Sequence, residues 1–519
     1  MALPRNRVLE AAHVRIAAFR SSYNVVVKGK PAIPSKDLRN HTAAERLLPF
    51  IVPFSNFRLH ISHMTNLESY FERFRRNIVG YHHPFTTPYG ERRIIYADWT
   101  ASGRLYEPIE RKMLEELGPF VGNTHSETTL TGSSMTHAYH LAHQIIKKHV
   151  NAGPDDALLF VGFGMTAAIN KLQRMLGLKI PEQWRSHLAI PESERPVVFV
   201  THMEHHSNHT TWYETIADVI VLKHTDEGLV DVDDLRALLE KYRSRKTKIG
   251  SFTACSNVTG IETPYYELAR ILHEHGGWCF VDFAASAPYV RIDMHPADPL
   301  ERLDAITFSP HKFLGGPGTS GVLIFNSSLY HLRSPDQPGG GTVLWTNPWG
   351  EYRFNPDIEV REDGGTPGFL QAIKAALAVQ LKEEMGIDNL RRREEEIVAK
   401  MIREMKTIPG LTLLAENIEH RLGMLSFYFE KLHYNLVVRL LNDRFGIQTR
   451  GGCSCAGTYG HYLLHVDRYQ SKRITDKIDE GDLSAKPGWV RISLHPTTTD
   501  EELDFIVDAL RQIQRHEEE

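Results

Sequence analysis

Thr307-Phe-Ser-Pro-His-Lys-Phe-Leu-Gly-Gly-Pro317 runs out of a short apolar strand, Ala305 to Phe308, into a glycine-rich turn. Lys312 stands at the mouth of that strand, beside the hydroxyl of Ser309 and the imidazole of His311. An amine so placed suits condensation with an aldehyde next to a bound phosphate. Pyridoxal 5'-phosphate carries both groups, and proteins hold it through a lysine Schiff base. The plainer reading is a surface lysine in an ordinary strand-to-loop turn, because short motifs match by chance. The flanking sequence decides between them.

From Pro154 to Phe325 short apolar segments alternate with helical ones. The strand candidates are Leu158 to Val161, Val197 to Thr201, Val219 to Leu222, Lys248 to Phe252, Trp278 to Val281, Ala305 to Phe308 and Gly321 to Phe325. Most are rich in β-branched or aromatic residues, as strands buried on both faces should be. The spacing predicts helices over 167–176, 231–243 and 264–275, the last with Thr263 as its cap and Gly276-Gly277 at its end. Such alternation gives an α/β fold, a mostly parallel sheet with helices on both faces. Ligands of these sheets bind at the carboxyl ends of the strands. The large domain is expected over 64–368, with an N-terminal helical segment carrying Leu67, Phe71, Phe74 and Ile78. A smaller C-terminal α/β domain is expected over 369–519, opening with a long helical region and carrying a charged surface insert at about 462–486.

A chain of 519 residues suits about two or three domains. It is 41% hydrophobic and 24% charged, a globular composition. A formal charge of -4 gives no basic field for nucleic acid, and no apolar run is long enough to span a bilayer. The cysteines are Cys255, Cys279, Cys453 and Cys455, too few for a disulfide framework. A reducing compartment, and hence the cytoplasm, is the expected location. Residues 1–63 are basic and acid-poor, which fits a mitochondrial transit peptide, a disordered tail, or translated sequence ahead of a start at Met64.

Other candidate groups follow the strand candidates in turn. Gly162-Phe-Gly-Met-Thr166 opens a helix, where free N–H groups attract a phosphate and Thr166 adds a hydroxyl; a plain capped turn reads the same way. Thr201-His-Met-Glu-His-His-Ser-Asn-His209 holds four imidazoles without metal-site spacing, so a flat ring against a cofactor is preferred over a metal. Asn257, in Ala254-Cys-Ser-Asn-Val-Thr-Gly260, offers an amide to a ring hydroxyl or a substrate carboxylate, or merely shapes a turn. Asp282 ends a buried strand and needs a partner, either a protonated pyridine nitrogen or a salt bridge inside the fold. Arg450-Gly-Gly-Cys-Ser-Cys-Ala-Gly457 places thiols beside a cation; the alternatives are inert loop cysteines or half a zinc site with His461 and His465. Arg491, in a late strand, is a natural clamp for a carboxylate.

Taken together, these residues resemble the fold-type I, class V aminotransferase-like proteins, and most closely their cysteine desulfurase and selenocysteine lyase branch. The resemblance runs from about Tyr96 to the C-terminus, outside the leader and the charged insert. It implies pyridoxal 5'-phosphate on Lys312, with Ser309, His311 and Gly164-Met165-Thr166 at the phosphate. It implies His205 against the ring, Asp282 at the ring nitrogen and Asn257 near the ring hydroxyl and substrate. Gly339-Gly-Gly341 with Thr346 resembles the segment that reaches a neighbouring subunit's phosphate, which implies a homodimer. Gly365-Thr-Pro367 matches the turn before the small domain. Arg491, supported by Arg450, would hold the substrate carboxylate, and Cys455 stands where relatives carry the persulfide-forming cysteine. Two positions depart from the pattern. Ala285 replaces the usual Gln, and Gly-Gly precedes Cys453-Ser-Cys455 where histidines are common. The resemblance therefore implies removal of sulfur or selenium from L-cysteine or L-selenocysteine through Cys455, releasing alanine and passing sulfur to an acceptor protein. The alternative is another lyase, epimerase or aminotransferase reaction on a different amino acid, with Cys455 a bystander. A scaffold protein that kept the fold without the chemistry is opposed by the intact Lys312, Asp282 and His205.

Overall fold

Seven strands form the central sheet of the computed structural model, which describes residues 66–124, 128–484 and 486–516. They are β1 (Asp156–Val161), β2 (Val197–Val200), β3 (Asp218–Val221), β4 (Lys248–Thr253), β5 (Trp278–Asp282), β6 (Ala305–Phe308) and β7 (Gly321–Asn326). Their order is β1-β7-β6-β5-β4-β2-β3. β7 runs antiparallel to both neighbours, and the other pairs are parallel. Every strand candidate in the 154–325 region is a sheet strand, with ends shifted by a residue or two. The expectations for residues 1–63 lie outside the described residues.

The apolar continuity of these strands reflects burial on both faces. Phe199 and Val281 join the core with Leu235 and Leu272, while their neighbours Val198 and Phe280 join the opposite core with Leu172 and Trp212. Side chains that alternate faces leave no solvent side for a polar residue. The helix predicted from residue 264 runs over Tyr265–Glu274 with Pro264, not Thr263, at its cap. Thr263 instead donates its hydroxyl to the carbonyl of Thr253 at 2.5 Å, tying the helix entry to the end of β4. The long helical region is two helices, Phe369–Met385 and Ile387–Met405, parted at Gly386 (φ +78°). No helix of the described residues is long and apolar enough to cross a membrane.

The C-terminal lobe is an antiparallel sheet of β8 (Leu411–Leu413), β9 (Met424–Phe429), β10 (Arg450–Gly452) and β11 (Trp489–Ser493), in the order β8-β9-β11-β10. Its core joins Phe427, Leu441, Ile492 and Ile506, and also Ala97 from far upstream. Ile95–Tyr96 pairs in parallel with Ile447–Gln448. The segment around residue 97 is therefore woven into the C-terminal lobe. It then returns to the large sheet, where Gly103 N donates to His311 O at 2.9 Å and Gly315 N to Arg104 O at 2.7 Å. The charged insert forms the helix Arg468–Asp479, none of whose residues is buried. Its expected first residue, Tyr462, is not surface filler: its ring lies 3.9 Å from that of His224 and stacks on Tyr459.

Gly103 approaches the lysine turn so closely that a Cβ there would sit 1.9 Å from Phe313 O. Gly103→Ala should lower stability by about 1–3 kcal/mol, the usual cost of overpacking. It should also loosen the turn that carries Lys312; thermal unfolding and retention of the cofactor check this.

Candidate active site

The carboxyl ends of β1, β2, β4, β5 and β6 meet loops of the C-terminal lobe around one pocket. Its walls include Met165, Thr166, His205, Asn257, Asp282, Ser309, His311, Lys312, Arg450, Cys455 and Arg491. Pro310–Lys312 is a single tight turn, closed by Lys312 N to Ser309 O at 3.0 Å and Phe313 N to Pro310 O at 2.9 Å. The turn fixes the backbone from which the amine projects.

Across from it the helix Met165–Met175 begins at Gly164. Met165 N donates to Ser309 Oγ at 2.9 Å, and Thr166 and Ser207 share a hydroxyl contact of 2.6 Å. A Cβ on Gly164 would lie 2.8 Å from His311 Cε1 and 2.9 Å from Ser309 Oγ, so only glycine leaves this cradle open. Hydroxyls at the positive end of a helix make an anion site.

Asp282, at the end of β5, and Lys312, in the turn after β6, face this cradle. Burial pushes Asp282 up to about 6, against the Ala284 N–H (2.8 Å) and the Lys312 ammonium, which favour its charge. Burial brings Lys312 down to about 8, opposed by Asp282 and reinforced by Arg491 and Arg450. His205 falls to about 3 through burial and the nearby Lys312, so its ring is neutral at physiological pH. Its Nδ1 accepts from Ser207 N at 3.1 Å, which puts the proton on Nε2. Behind it Glu204 accepts from Thr201 Oγ1 (2.7 Å), Thr253 N (2.8 Å) and Asn208 Nδ2 (2.8 Å), pinning the loop to the end of β4. A poised amine, a buried carboxylate, a flat neutral imidazole and an anion cradle fit pyridoxal 5'-phosphate.

The other side of the pocket belongs to the C-terminal lobe. Arg491 is buried on β11; its Nη1 donates to Asn257 O at 3.0 Å and its Nη2 meets Asp98 Oδ1 at 2.8 Å. Asp98 Oδ2 also holds Arg450 Nε at 3.2 Å. Asn257 Nδ2 donates to Ser454 O at 2.7 Å, leaving Oδ1 buried without a partner. One hydrogen of the Asn257 amide thus holds the cysteine loop, while the residue still lines the pocket. The exposed Cys455 and its neighbour Ser454 both take left-handed backbone (φ +57° and +52°). Such strain of about 1–3 kcal/mol per residue persists only where surroundings hold it. Here Cys455 O accepts from His206 N at 2.8 Å, and Ser454 Oγ accepts from Trp489 Nε1 at 3.2 Å.

All but one of the expected site residues gather at this pocket or its rim. Thr346 lies on an exposed hairpin, Val343–Thr346 with Tyr352–Phe354, away from the pocket of its own chain. The other imidazoles have separate duties: His202 bonds Gly228 O, His206 accepts from Gly457 N, and His209 meets Tyr213 and Thr458. His461 is engaged by Gly457 O and Ser471 Oγ. Reasoning from sequence missed Thr100, Ala101 and Cys255 as pocket residues, and Asp98 as the carboxylate that holds the two pocket arginines. The available signal was polar Asp98 and Thr100 following the apolar Ile94-Ile-Tyr96 run, at a chain position remote from every other motif.

A family model described as aminotransferase class-V matches residues 95–506. A probable cysteine desulfurase of Halalkalibacterium halodurans is 28% identical over 371 residues, covering 70% of this chain and 84% of its own. One from Staphylococcus epidermidis is 27% identical over 425 residues, covering 81% and 92%. A cysteine desulfurase structure from Thermococcus onnurineus superposes with a TM-score of 0.66 at 22% identity, covering 82% of this chain and 95% of that one. One from Escherichia coli gives 0.65 at 22%, covering 86% and 98%. These structures share the fold.

The neutral amine is the form of Lys312 that captures an aldehyde. With its pKa near 8, that fraction should grow about tenfold per pH unit below 8 and level off above. The rate at which apoprotein takes up pyridoxal phosphate, followed by absorbance and borohydride trapping, should follow this curve and vanish in Lys312→Arg.

Proposed function

The chain belongs to the aminotransferase class-V family, and we propose that it is a pyridoxal 5'-phosphate-dependent cysteine desulfurase. It takes sulfur from L-cysteine, or selenium from L-selenocysteine, onto Cys455 and releases alanine. The observation that carries this reading is the exposed Cys455 thiol at the mouth of the pocket, on a loop pinned by the pocket residue Asn257 and by His206. The names of the similar bacterial proteins support the same activity.

Lys312 would anchor the cofactor, with Asp282 at its ring nitrogen, His205 against its ring, and Ser309, His311, Thr166 and the Gly164 turn at its phosphate. Bound pyridoxal phosphate supplies an electron sink for the charge that develops at the substrate α-carbon. Lys312 would carry the substrate α-proton on its Nζ. Arg491 and Arg450 orient the substrate carboxylate. The substrate carbon–sulfur bond breaks while the Cys455 sulfur bonds the departing sulfur. Cysteine and the Cys455 thiol thus become alanine and a Cys455 persulfide, which an acceptor protein then discharges.

A homodimer belongs to this reading. Leu344, Trp345, Trp349 and Tyr352 are exposed together on the hairpin that carries Thr346, and a second copy would cover them. One observation favours a different reaction on another amino acid. Ala285, on the pocket wall, has no side chain to bond the ring oxygen.

Purified protein given L-cysteine and a reductant should release equal amounts of alanine and sulfide. Cys455→Ala should reduce this to background while keeping the cofactor absorbance; unchanged turnover in that variant would sink the desulfurase reading. Keto acid from another amino acid, with no alanine from cysteine, would favour the alternative. Sedimentation should give a dimer that Trp349→Asp weakens.

A further inference from the structure

Asp98 does not line the pocket but holds both arginines that do, and it has no part in the chemistry above. Its carboxylate joins two arginines, 2.8 Å from Arg491 Nη2 and 3.2 Å from Arg450 Nε. Arg450 and Arg491 stand directly opposite each other on β10 and β11, where like charges repel. Asp98 is held independently of both. It bridges Ser493 through the backbone, Thr100 N donates to Ser493 Oγ at 3.0 Å, and Tyr96 OH donates to Asp98 O at 3.2 Å. Two guanidiniums against one carboxylate leave a single positive charge at this end of the pocket. Arg491 Nε is buried with no partner, a donor still unspent at a site where both of its terminal nitrogens are already bound.

We propose that Asp98 is a positioning and specificity-determining residue: it neutralises one of the two arginine charges and fixes both guanidiniums, so that the site takes amino acids with a single carboxylate and disfavours acidic side chains. The proposal rests on reading the pocket as an amino-acid site, but not on the sulfur step. One substrate carboxylate balances the remaining charge and gives the orphaned Arg491 donor an acceptor. A second carboxylate finds no further uncompensated charge on the two arginines, because Asp98 has neutralised one of them. Around the buried Arg491 such charge effects are worth more than at an open surface.

The test is binding, read from the absorbance change of the holoenzyme as L-alanine or L-aspartate is added, so it stands whether or not sulfide is ever produced. The wild-type protein should prefer alanine. Asp98→Asn should shift the ratio of the two dissociation constants toward aspartate by about tenfold or more. Asp98→Glu, which keeps the charge, should stay near the wild-type ratio while its kcat/KM falls through altered positioning. A ratio in Asp98→Asn within about twofold of wild type overturns the proposal. Should Asp98→Asn not hold the cofactor, the exposed Arg450→Gln decides. With the cationic excess removed, its preference for alanine over ethylamine should fall about tenfold, and an unchanged preference overturns the proposal.

Discussion

Burial of an amine and a carboxylate at the ends of neighbouring parallel strands, Lys312 just beyond β6 and Asp282 at the end of β5, is the constraint around which this site is built. Burial drives Lys312 and Asp282 toward their neutral forms, while each favours the charge of the other. The balance leaves an amine that is easily deprotonated and a carboxylate that is still ionised near neutral pH. Both properties depend on the sheet. Thr253, Asp282 and Thr307 lie in register across β4, β5 and β6, so the polar groups reach one level only at the strand ends. Below that level the sheet is apolar on both faces and keeps water out.

The second half of the pocket comes from a lobe with its own core, and the two halves are stitched by a segment from near the start of the described chain. Ala97 packs in the C-terminal core, Asp98 meets Arg450 and Arg491, Thr100 binds Ser493, and Gly103 seats against the lysine turn. Within eight residues this segment touches both lobes. The cysteine loop is held the same way, by contacts with the large domain. Its left-handed residues are tolerated because His206 and Asn257 hold the backbone, and Trp489 of the C-terminal lobe holds the Ser454 hydroxyl.

Much of this was legible in the sequence because the chemistry sits where the periodicity breaks. Lys312, Asp282, His205 and the Gly164 turn each follow an apolar run whose end could be located to within a residue or two. The family model over 95–506 bears out the resemblance drawn from those motifs. The misreadings have a common cause. Thr263 had the composition of a cap, but a tertiary partner at Thr253 claimed its hydroxyl. Tyr462 was expected to open a surface insert, but the rings of His224 and Tyr459 claimed it. Local propensity names what a side chain can do, and the nearest available partner decides what it does.

Sequence by itself determined the α/β alternation, the order of the strand-end groups, and the candidate lysine and cysteine that would anchor the chemistry and distinguish the reaction. These are short-range properties: apolar runs, turn residues and side chains next to them. Only the tertiary structure decided that Asp98 sits between two arginines more than three hundred and fifty residues downstream, and that the cysteine loop hangs from Asn257 and His206. An ion pair or hydrogen bond between such distant positions leaves no periodicity in the chain. It exists only once two separately packed cores have brought their edges together.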